Sequence, residues 1–347
     1  MKKRQLATLL IALSMLLVLA ACGKDSNTGN SSSASGSNQG EATSKEVTVN
    51  IGVQHAVHPL VLAQQQKWFE EEFAKHNAKV NWVDIPGGPA QFDAILTNRL
   101  DLAVTGNTGV ITGQISDIPF KEIAIGSTGS KNVGLLLPKD STITELSELK
   151  GKKIAVAKAT AAYDILFRLL DKAGLTAKDV EIIQLNADEA KAAFVGGSVD
   201  AWGIGEPYLS TAVVDEGAKV LGDGSTLNNY ISPAFQIART KFADEHPELV
   251  VAYLKVLQKS LQWQNDNLDE AVKIYSEGTK LNPEVVKSVI SNVQFATVPV
   301  SDDFVKSQAE LNEFLVKENA VSQKVDVSKV VDNTFINQAL EESKAGN

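Results

Sequence analysis

The sequence predicts an α/β fold of two lobes around a cleft, completed by a helical C-terminal tail. Three observations carry that expectation. Strand-like and helix-like stretches alternate from residue 46 to about residue 239, the pattern of parallel sheets flanked by helices. One phrase occurs twice: "LDLAVTGNTGV" (100–110) and "VDAWGIGEPYL" (199–209) each run apolar residue, Asp, a few strand residues, Gly, then a stretch able to open a helix. From Thr240 onward the pattern turns almost wholly helical. A chain of 347 residues is long enough for about two domains.

The N-terminal segment stands apart. Lys2, Lys3 and Arg4 precede an apolar run, Leu6 to Leu19, broken only by Thr8 and Ser14. The run is too short for a membrane span of roughly 20 residues and has the layout of a secretion signal. It ends Leu19-Ala20-Ala21-Cys22, and Cys22 is the chain's single cysteine. Residues 1–21 therefore resemble a lipoprotein signal, after which Cys22 is lipidated and becomes the mature N-terminus. An ordinary signal with an incidental cysteine is the alternative. Residues 22–45, rich in Ser, Gly and Asn, lack the apolar residues to bury a core. They are expected to form a flexible tether of roughly 25 Å root-mean-square span.

The elements follow in order. "VTVNIGV" (47–53) alternates as a strand, and "PLVLAQQQKWFEEEFAKH" (59–76) has helical spacing with Pro59 at the first helical position. "KVNWVDI" is a strand, "PAQFDAILTNR" a helix, and "DLAVT", "KEIAIGS" and "VGLLLPK" are strands. A second series then begins with "ITELSELKG", a short helix, "KKIAVA", a strand, and "AAYDILFRLLDKAG", a helix. "DVEIIQL", "VDAWGI" and "AKVLG" continue it as strands, separated by the helices "ADEAKAAFVGG" and "EPYLSTAVVDEG". "SPAFQIAR" (232–239) is one more strand, leaving this second unit. The tail cannot bury its apolar faces by itself, so it is expected to pack on the first unit. The expected lobes are residues 46–135 with 238–347, and residues 136–237. Two crossings between them, near "GLLLPK" and near "SPAFQIA", make a hinge and hence a cleft.

Charge and cysteine count narrow the function. Lys+Arg is 33 against Asp+Glu 42, a net charge of −9. Without the three basic residues of the signal the count is 30 against 42, or −12. Such a body repels phosphate backbones, so no nucleic-acid partner is expected. One cysteine excludes an internal disulfide and every multi-cysteine metal motif.

"GGPAQFDAILTNRLDLAVTGNTGVITGQ", "LKGKKIAVAKATAAYDILFRLLDKAGL" and "ADEAKAAFVGGSVDAWGIGEPYLSTA" together resemble the solute-binding proteins of ABC importers. The branch is the aliphatic sulfonate, taurine and nitrate binders, which also includes binders of pyrimidine precursors. The likeness spans about Val47 to Gly224. It implies a periplasmic-binding-protein fold of type II with two hinge strands and a ligand between the lobes. It implies a small organic anion as ligand, a membrane permease and ATPase as partners, a monomer, no cofactor, and an extracytoplasmic location anchored by the lipid on Cys22. Two stretches depart from the sulfonate pattern. Lys158-Ala159-Thr160-Ala161-Ala162-Tyr163 stands where that pattern has Lys-Gly-Ser-Ser-Ala-His. Trp202-Gly203-Ile204-Gly205-Glu206-Pro207 stands where it tends to have Trp-Ala-Ile-Trp-Asp-Pro. Hydroxyls are lost and a Trp is replaced by Gly205, which suggests a roomier pocket.

Ligands of open α/β sheets gather at the carboxyl ends of the strands. Five segments fall there: "QHAVH" with Gln54, His55 and His58; "PGGPA" with Gly88; "TGNTG" with Gly106, Asn107 and Thr108; "KATAAY" with Lys158, Thr160 and Ala161; and "GIGEPY" with Glu206 and Tyr208. Helix N-termini after Gly106 and at Thr160 would offer N–H groups and partial positive charge to an anion. Asn107 or Thr108 and Thr160 would equally serve as helix caps. Lys158 is the one cation well placed, since Arg99, Arg168 and Arg239 fall away from the cleft loops. Glu206 is read three ways: paired with Lys158, bound to a substrate amine, or capping the helix at Pro207. Trp202 is either apolar wall or strand core. His55 and His58 are candidate ligand contacts; a metal would need three or four ligands, and His76 and His246 lie on distant helices, so none is expected. No G-x-S-x-G, Walker A or G-x-G-x-x-G pattern is present. Pyrimidine synthases of this fold carry a cysteine-rich motif that one Cys cannot supply. The expected protein is a binder, not an enzyme.

Overall fold

The computed structural model describes residues 45–54, 56–85, 89–228 and 230–345, so Cys22, His55 and Gly88, with the signal and tether, lie outside it. Ser44–Asn347 forms one compact unit. Its strands in chain order are β1 (Val47–Val53), β2 (Ala78–Asp84), β3 (Leu102–Gly106), β4 (Phe120–Ser127), β5 (Val133–Leu137) and β6 (Lys153–Val156). β7 (Glu181–Gln184), β8 (Ala201–Gly205), β9 (Lys219–Asp223), β10 (Ala234–Arg239) and β11 (Phe295–Val298) follow.

They form two sheets, in the orders β11-β4-β10-β3-β1-β2 and β7-β6-β8-β5-β9. The sheets share one frame. β1 runs parallel to β2 and β3, as β6 runs parallel to β7 and β8. In each, one antiparallel strand is then inserted: β10 between β3 and β4, and β5 between β8 and β9. These inserted strands are the first ones laid down after each crossing. The chain leaves the first sheet after β4 to place β5 in the second, and leaves β9 to place β10 in the first. The sheet therefore changes within residues 128–132 and 224–233, a few residues before each of the crossings expected from the sequence.

The twice-used phrase has a structural cause. Asp101 and Asp200 each precede the third parallel strand of their sheet. Asp101 Oδ2 accepts the Asn50 N–H at 2.9 Å, and Asp200 Oδ2 accepts the Lys153 N–H at 2.8 Å. The backbone N–H of each aspartate in turn donates to the carbonyl of that partner, Asp101 to Asn50 and Asp200 to Lys153, both at 2.8 Å. Asp101 thus ties the middle of β1 to the start of β3, and Asp200 the start of β6 to the start of β8. In the first lobe Asp101 does more. Arg239, at the end of β10, gives it two further hydrogen bonds, at 3.0 and 2.5 Å.

The tail covers the first sheet. Helix Pro247–Asp266 buries ten residues, among them Leu249, Tyr253 and Leu257, and Tyr253 stacks on Phe69 with ring centroids 5.4 Å apart. Fully burying each such side chain contributes about 1.5–3 kcal/mol. Three local readings change. The helix expected over 59–76 is two, Pro59–Gln65 and Trp68–Ala74, because Lys67 turns left-handed (φ 58°) between them. The break leaves Phe69 and Phe73 buried in the core. "ITELSELKG" yields only a 3₁₀ turn, Leu146–Leu149, with a capping box between Glu145 and Glu148. The tail also hides a strand: β11 pairs antiparallel with β4 at the sheet edge.

Candidate functional site

The two connecting segments run side by side and make the floor between the lobes. Asn132 Nδ2 donates to Ser232 O at 2.9 Å, and Ser232 N to Gly129 O at 3.2 Å. At Gly224 an added Cβ would lie 2.5 Å from Ser130 O, so only glycine permits this approach. Both flanks of the site hang on this floor. Glu206 N donates to Asn132 O at 2.9 Å, and Asn107 N to Pro233 O at 3.2 Å.

On one flank lies a cavity of about 160 Å³. Val61, Val104, Val289, Val293 and Phe295 of the first lobe give it an aliphatic wall, and Glu206 and Pro207 of the second close it. Gln54 and His58 also line it. Gln54 Nε2 donates to Val104 O at 3.3 Å. His58 is the N-cap of helix Pro59–Gln65: its Nδ1 accepts the Leu60 N–H at 3.0 Å. The proton of the neutral ring therefore sits on Nε2, which is buried without a hydrogen-bond partner among the described residues. Burial lowers the ring to about 4, so His58 is neutral at physiological pH, and it packs edge-on to Phe295.

Of the three roles considered for Glu206, the structure makes the capping contact. Its Oε2 accepts the Ser210 N–H at 3.0 Å in the first turn of helix Tyr208–Glu216, and its Oε1 accepts the Ser210 hydroxyl at 2.7 Å. It also crosses between lobes. Asn292 Nδ2, at the end of helix Pro283–Asn292 in the tail, donates to Oε1 at 2.8 Å, while the Ser288 hydroxyl donates to Ser210 Oγ at 2.7 Å, since the Ser210 proton is committed to Glu206. Burial raises the Glu206 carboxyl above its usual range, against the hydrogen bonds from Asn292 and Ser210. Lys158 does not pair with it; the lysine is exposed on the turn after β6, too far from any described carboxylate for an ion pair.

On the other flank are two helix N-termini, Asn107–Ile115 from the first lobe and Ala161–Lys172 from the second. The cap of the first is Gly106, which is exposed and open on its Cβ side; neither Asn107 nor Thr108 caps it. Asn107 is buried and its Oδ1 accepts the Thr108 N–H at 2.9 Å. Thr160 is a true cap: its hydroxyl accepts from Tyr163 N at 3.2 Å and donates to Ala157 O at 2.8 Å. That hydroxyl proton is committed, so a solute would meet the N–H groups of Ala161 and Ala162, which have no partner within the helix.

Two residues the sequence did not single out tie the second of these ends to the floor. The Tyr230 hydroxyl donates to Asp164 in the first turn of helix Ala161–Lys172. Arg168 Nε donates to Asp164 Oδ1 at 2.9 Å, and its guanidinium lies 4.8 Å over the Tyr230 ring. Tyr230 sits in a polar loop and Asp164 inside an amphipathic helix, so neither shows a sequence signal.

Trp202 takes its core alternative. It is 1% exposed and packs against Phe194 and Tyr208, in the interior of the second lobe, where no solute reaches its ring. The Tyr208 hydroxyl donates to Asp188 at 2.8 Å, within the same lobe. Among the described residues no three His, Cys, Asp or Glu side chains gather as a metal site.

Two α/β lobes, two connecting segments and a cavity closed by both lobes define a bilobed binding-protein architecture. Residues 54–271 match the family described as NMT1/THI5 like, and the chain belongs to that family. A Bacillus subtilis (strain 168) protein named for binding aliphatic sulfonates is 43% identical over 338 residues, 97% of this chain and 98% of the relative. The periplasmic aliphatic sulphonate-binding protein of Escherichia coli superposes with TM-score 0.74 at 26% identity, covering 82% of this chain and 92% of that one. An alkanesulfonate-binding protein from Xanthomonas axonopodis pv. citri, solved with bound MOPS, gives TM-score 0.73 at 26% identity, covering 83% and 99%.

Proposed function

We propose that the chain is the extracytoplasmic solute-binding component of an ABC importer, and that its solute is a small organic anion, best an aliphatic sulfonate or taurine. The observation that carries this reading is an aliphatic cavity of the first lobe closed by Glu206 and Pro207 of the second, with one helix N-terminus following β3 and another following β6. Helix ends suit a sulfonate head group, since unpaired N–H groups and the helix dipole favour an anion without a basic side chain. The Val61, Val289, Val293 and Phe295 wall suits an alkyl chain. The names of the Bacillus, Escherichia and Xanthomonas relatives support the same solute class. Glu206 belongs to closure: its link to Asn292 forms only when the lobes meet. Residues 46–127 with 234–347 make the first lobe and 133–223 the second. Cys22 carries a lipid that holds the body at the membrane, beside the permease and ATPase it serves. The protein acts as a monomer and catalyses no reaction; Cys22 is its single cysteine.

The test is a thermal-shift screen of the chain from residue 23 on, against ethanesulfonate, taurine, MOPS, nitrate, sulfate and a thiamine-pathway pyrimidine. A ligand that binds only the folded state raises the melting temperature by mass action. Stabilisation by at least one sulfonate is expected. If nitrate or the pyrimidine stabilises and no sulfonate does, the solute class is wrong; a sugar or metal as the only stabiliser removes the anion reading altogether.

A further inference from the structure

We infer that Phe314 is an aromatic latch that holds the second lobe against the first, and so acts on solute affinity from outside the solute site. The inference goes beyond the solute proposed above, and its first test needs no solute. Phe314 lies on helix Asp302–Lys317 of the tail. Leu311 and Leu315 of that helix are buried with Ile111 of helix Asn107–Ile115, which fixes it to the first lobe. Phe314 reaches both ways: it packs against this cluster and against the core of the second lobe. There it meets helix Ala161–Lys172. Its ring centroid lies 5.3 Å from that of Phe167, edge-on, and 6.4 Å from that of Tyr163. Tyr163 and Phe167 are one helical turn apart, with ring centroids 4.6 Å from each other. The three rings therefore form one cluster that spans the two lobes.

Placement makes this cluster a latch rather than ordinary core. Phe314 and its two partners belong to different lobes and to neither connecting segment. Rotating one lobe about those segments parts the rings and returns their faces to water. Tyr163 is the third residue of its helix, so the cluster sits at the helix end that follows β6. Glu206 and Asn292 link the lobes through helices Tyr208–Glu216 and Pro283–Asn292. The rings make a second link, through a different helix of each lobe. The first link is directional and polar, whereas the second is driven by removal of apolar surface from water, with the edge-on ring geometry adding to it. Any contact made only when the lobes meet multiplies the ratio of closed to open molecules. A solute that needs the closed form binds more weakly in proportion as the closed fraction falls. Phe314 thus acts on affinity without touching the solute.

The test uses the chain from residue 23 on, which has no cysteine, with dyes attached at Lys79→Cys and Glu181→Cys. These exposed positions lie on β2 and β7, at the edge of each sheet. Phe314→Ala is compared with Phe304→Ala. Phe304 is on the same helix but packs on the core of the first lobe, so its loss reports the generic cost of deleting a half-buried ring. Single-molecule energy transfer is recorded without solute, well below both melting temperatures. Phe314→Ala is expected to lower the ratio of closed to open molecules about tenfold, and Phe304→Ala to leave it unchanged. Phe167→Ala is expected to shift the ratio in the same direction, with the double variant shifting it by less than the sum of the two. Affinity for the sulfonate that stabilises the parent is expected to fall by the factor by which the closed fraction falls. An unchanged distance distribution in Phe314→Ala overturns the latch, as does an equal shift in Phe304→Ala or strict additivity with Phe167→Ala. A closed fraction that falls with no loss of affinity overturns its effect on binding. If no sulfonate binds the parent, the proposed solute fails, and the distance distributions alone decide the latch.

Discussion

Replacing Glu122 by Gln is expected to stabilise the protein, and by an amount that depends on pH. Glu122 lies on β4, 0% exposed, beneath helix Asp302–Lys317. Gln308 Nε2 donates to its Oε1 at 3.0 Å, but Glu122 Oε2 and Gln308 Oε1 are both buried without a partner among the described residues. A proton on the carboxyl supplies the donor this pair lacks. Burial, opposed by the Gln308 hydrogen bond, raises the group from 4.5 to about 8. In the unfolded chain it ionises near its ordinary value, so between these pH values the folded state holds the extra proton. Stability from this group is therefore complete below about pH 4.5, declines as pH rises, and is lost above about pH 8. At 1.36 kcal/mol per pH unit the full span is worth roughly 5 kcal/mol. Gln keeps the shape, does not ionise, and offers an N–H to Gln308 Oε1. Urea unfolding of parent and Glu122→Gln at pH 4.5, 7 and 8.5, followed by tryptophan fluorescence, measures the gap between them. It is expected to widen with pH, from near zero to roughly 3–5 kcal/mol in favour of the variant. A gap that stays constant across the three values refutes a neutral Glu122.

Asn292→Ala removes the donor that ties Glu206 to the tail, leaving the buried carboxyl one hydrogen bond short. Affinity for the stabilising sulfonate is expected to fall roughly tenfold in calorimetric titration, with the melting temperature of the unliganded chain little changed. The repeated aspartates separate in the same way by what surrounds them. Asp200→Ala loses one main-chain contact and is expected to cost about 1 kcal/mol, whereas Asp101→Ala strands the largely buried Arg239 and is expected to cost about 3–5 kcal/mol in urea unfolding.

Much of the architecture is legible in the sequence because it is written in local periodicity. The strand–helix alternation, the insertion of the second lobe and the helical tail all follow from apolar spacing and from the paired phrases around Asp101 and Asp200. What escapes is set by contacts distant in the chain. "FATV" is too short to announce itself as a strand and becomes one only by pairing with β4. Which sheet receives Ala234–Arg239 depends on partners more than a hundred residues earlier, and no local pattern encodes it. At the site, Gln54, His58 and Glu206, each of which follows a strand in the sequence, line one cavity. It leaves the roles of Glu206 and Trp202 open because a cap, an ion pair and a cavity wall use the same residue types. Tyr230 and Asp164 are invisible for a simpler reason. Their meaning lies in the contact between them, 66 positions apart in the chain.

The most direct test of the account is a crystal structure of the chain grown with the sulfonate that stabilises it best. The sulfonate oxygens are expected against the N-terminal turns of Asn107–Ile115 and Ala161–Lys172, with the alkyl portion in the cavity beside Val61, Val289 and Phe295. A sulfonate bound outside this cleft, or held there by Lys158 with neither helix end in contact, would contradict the account.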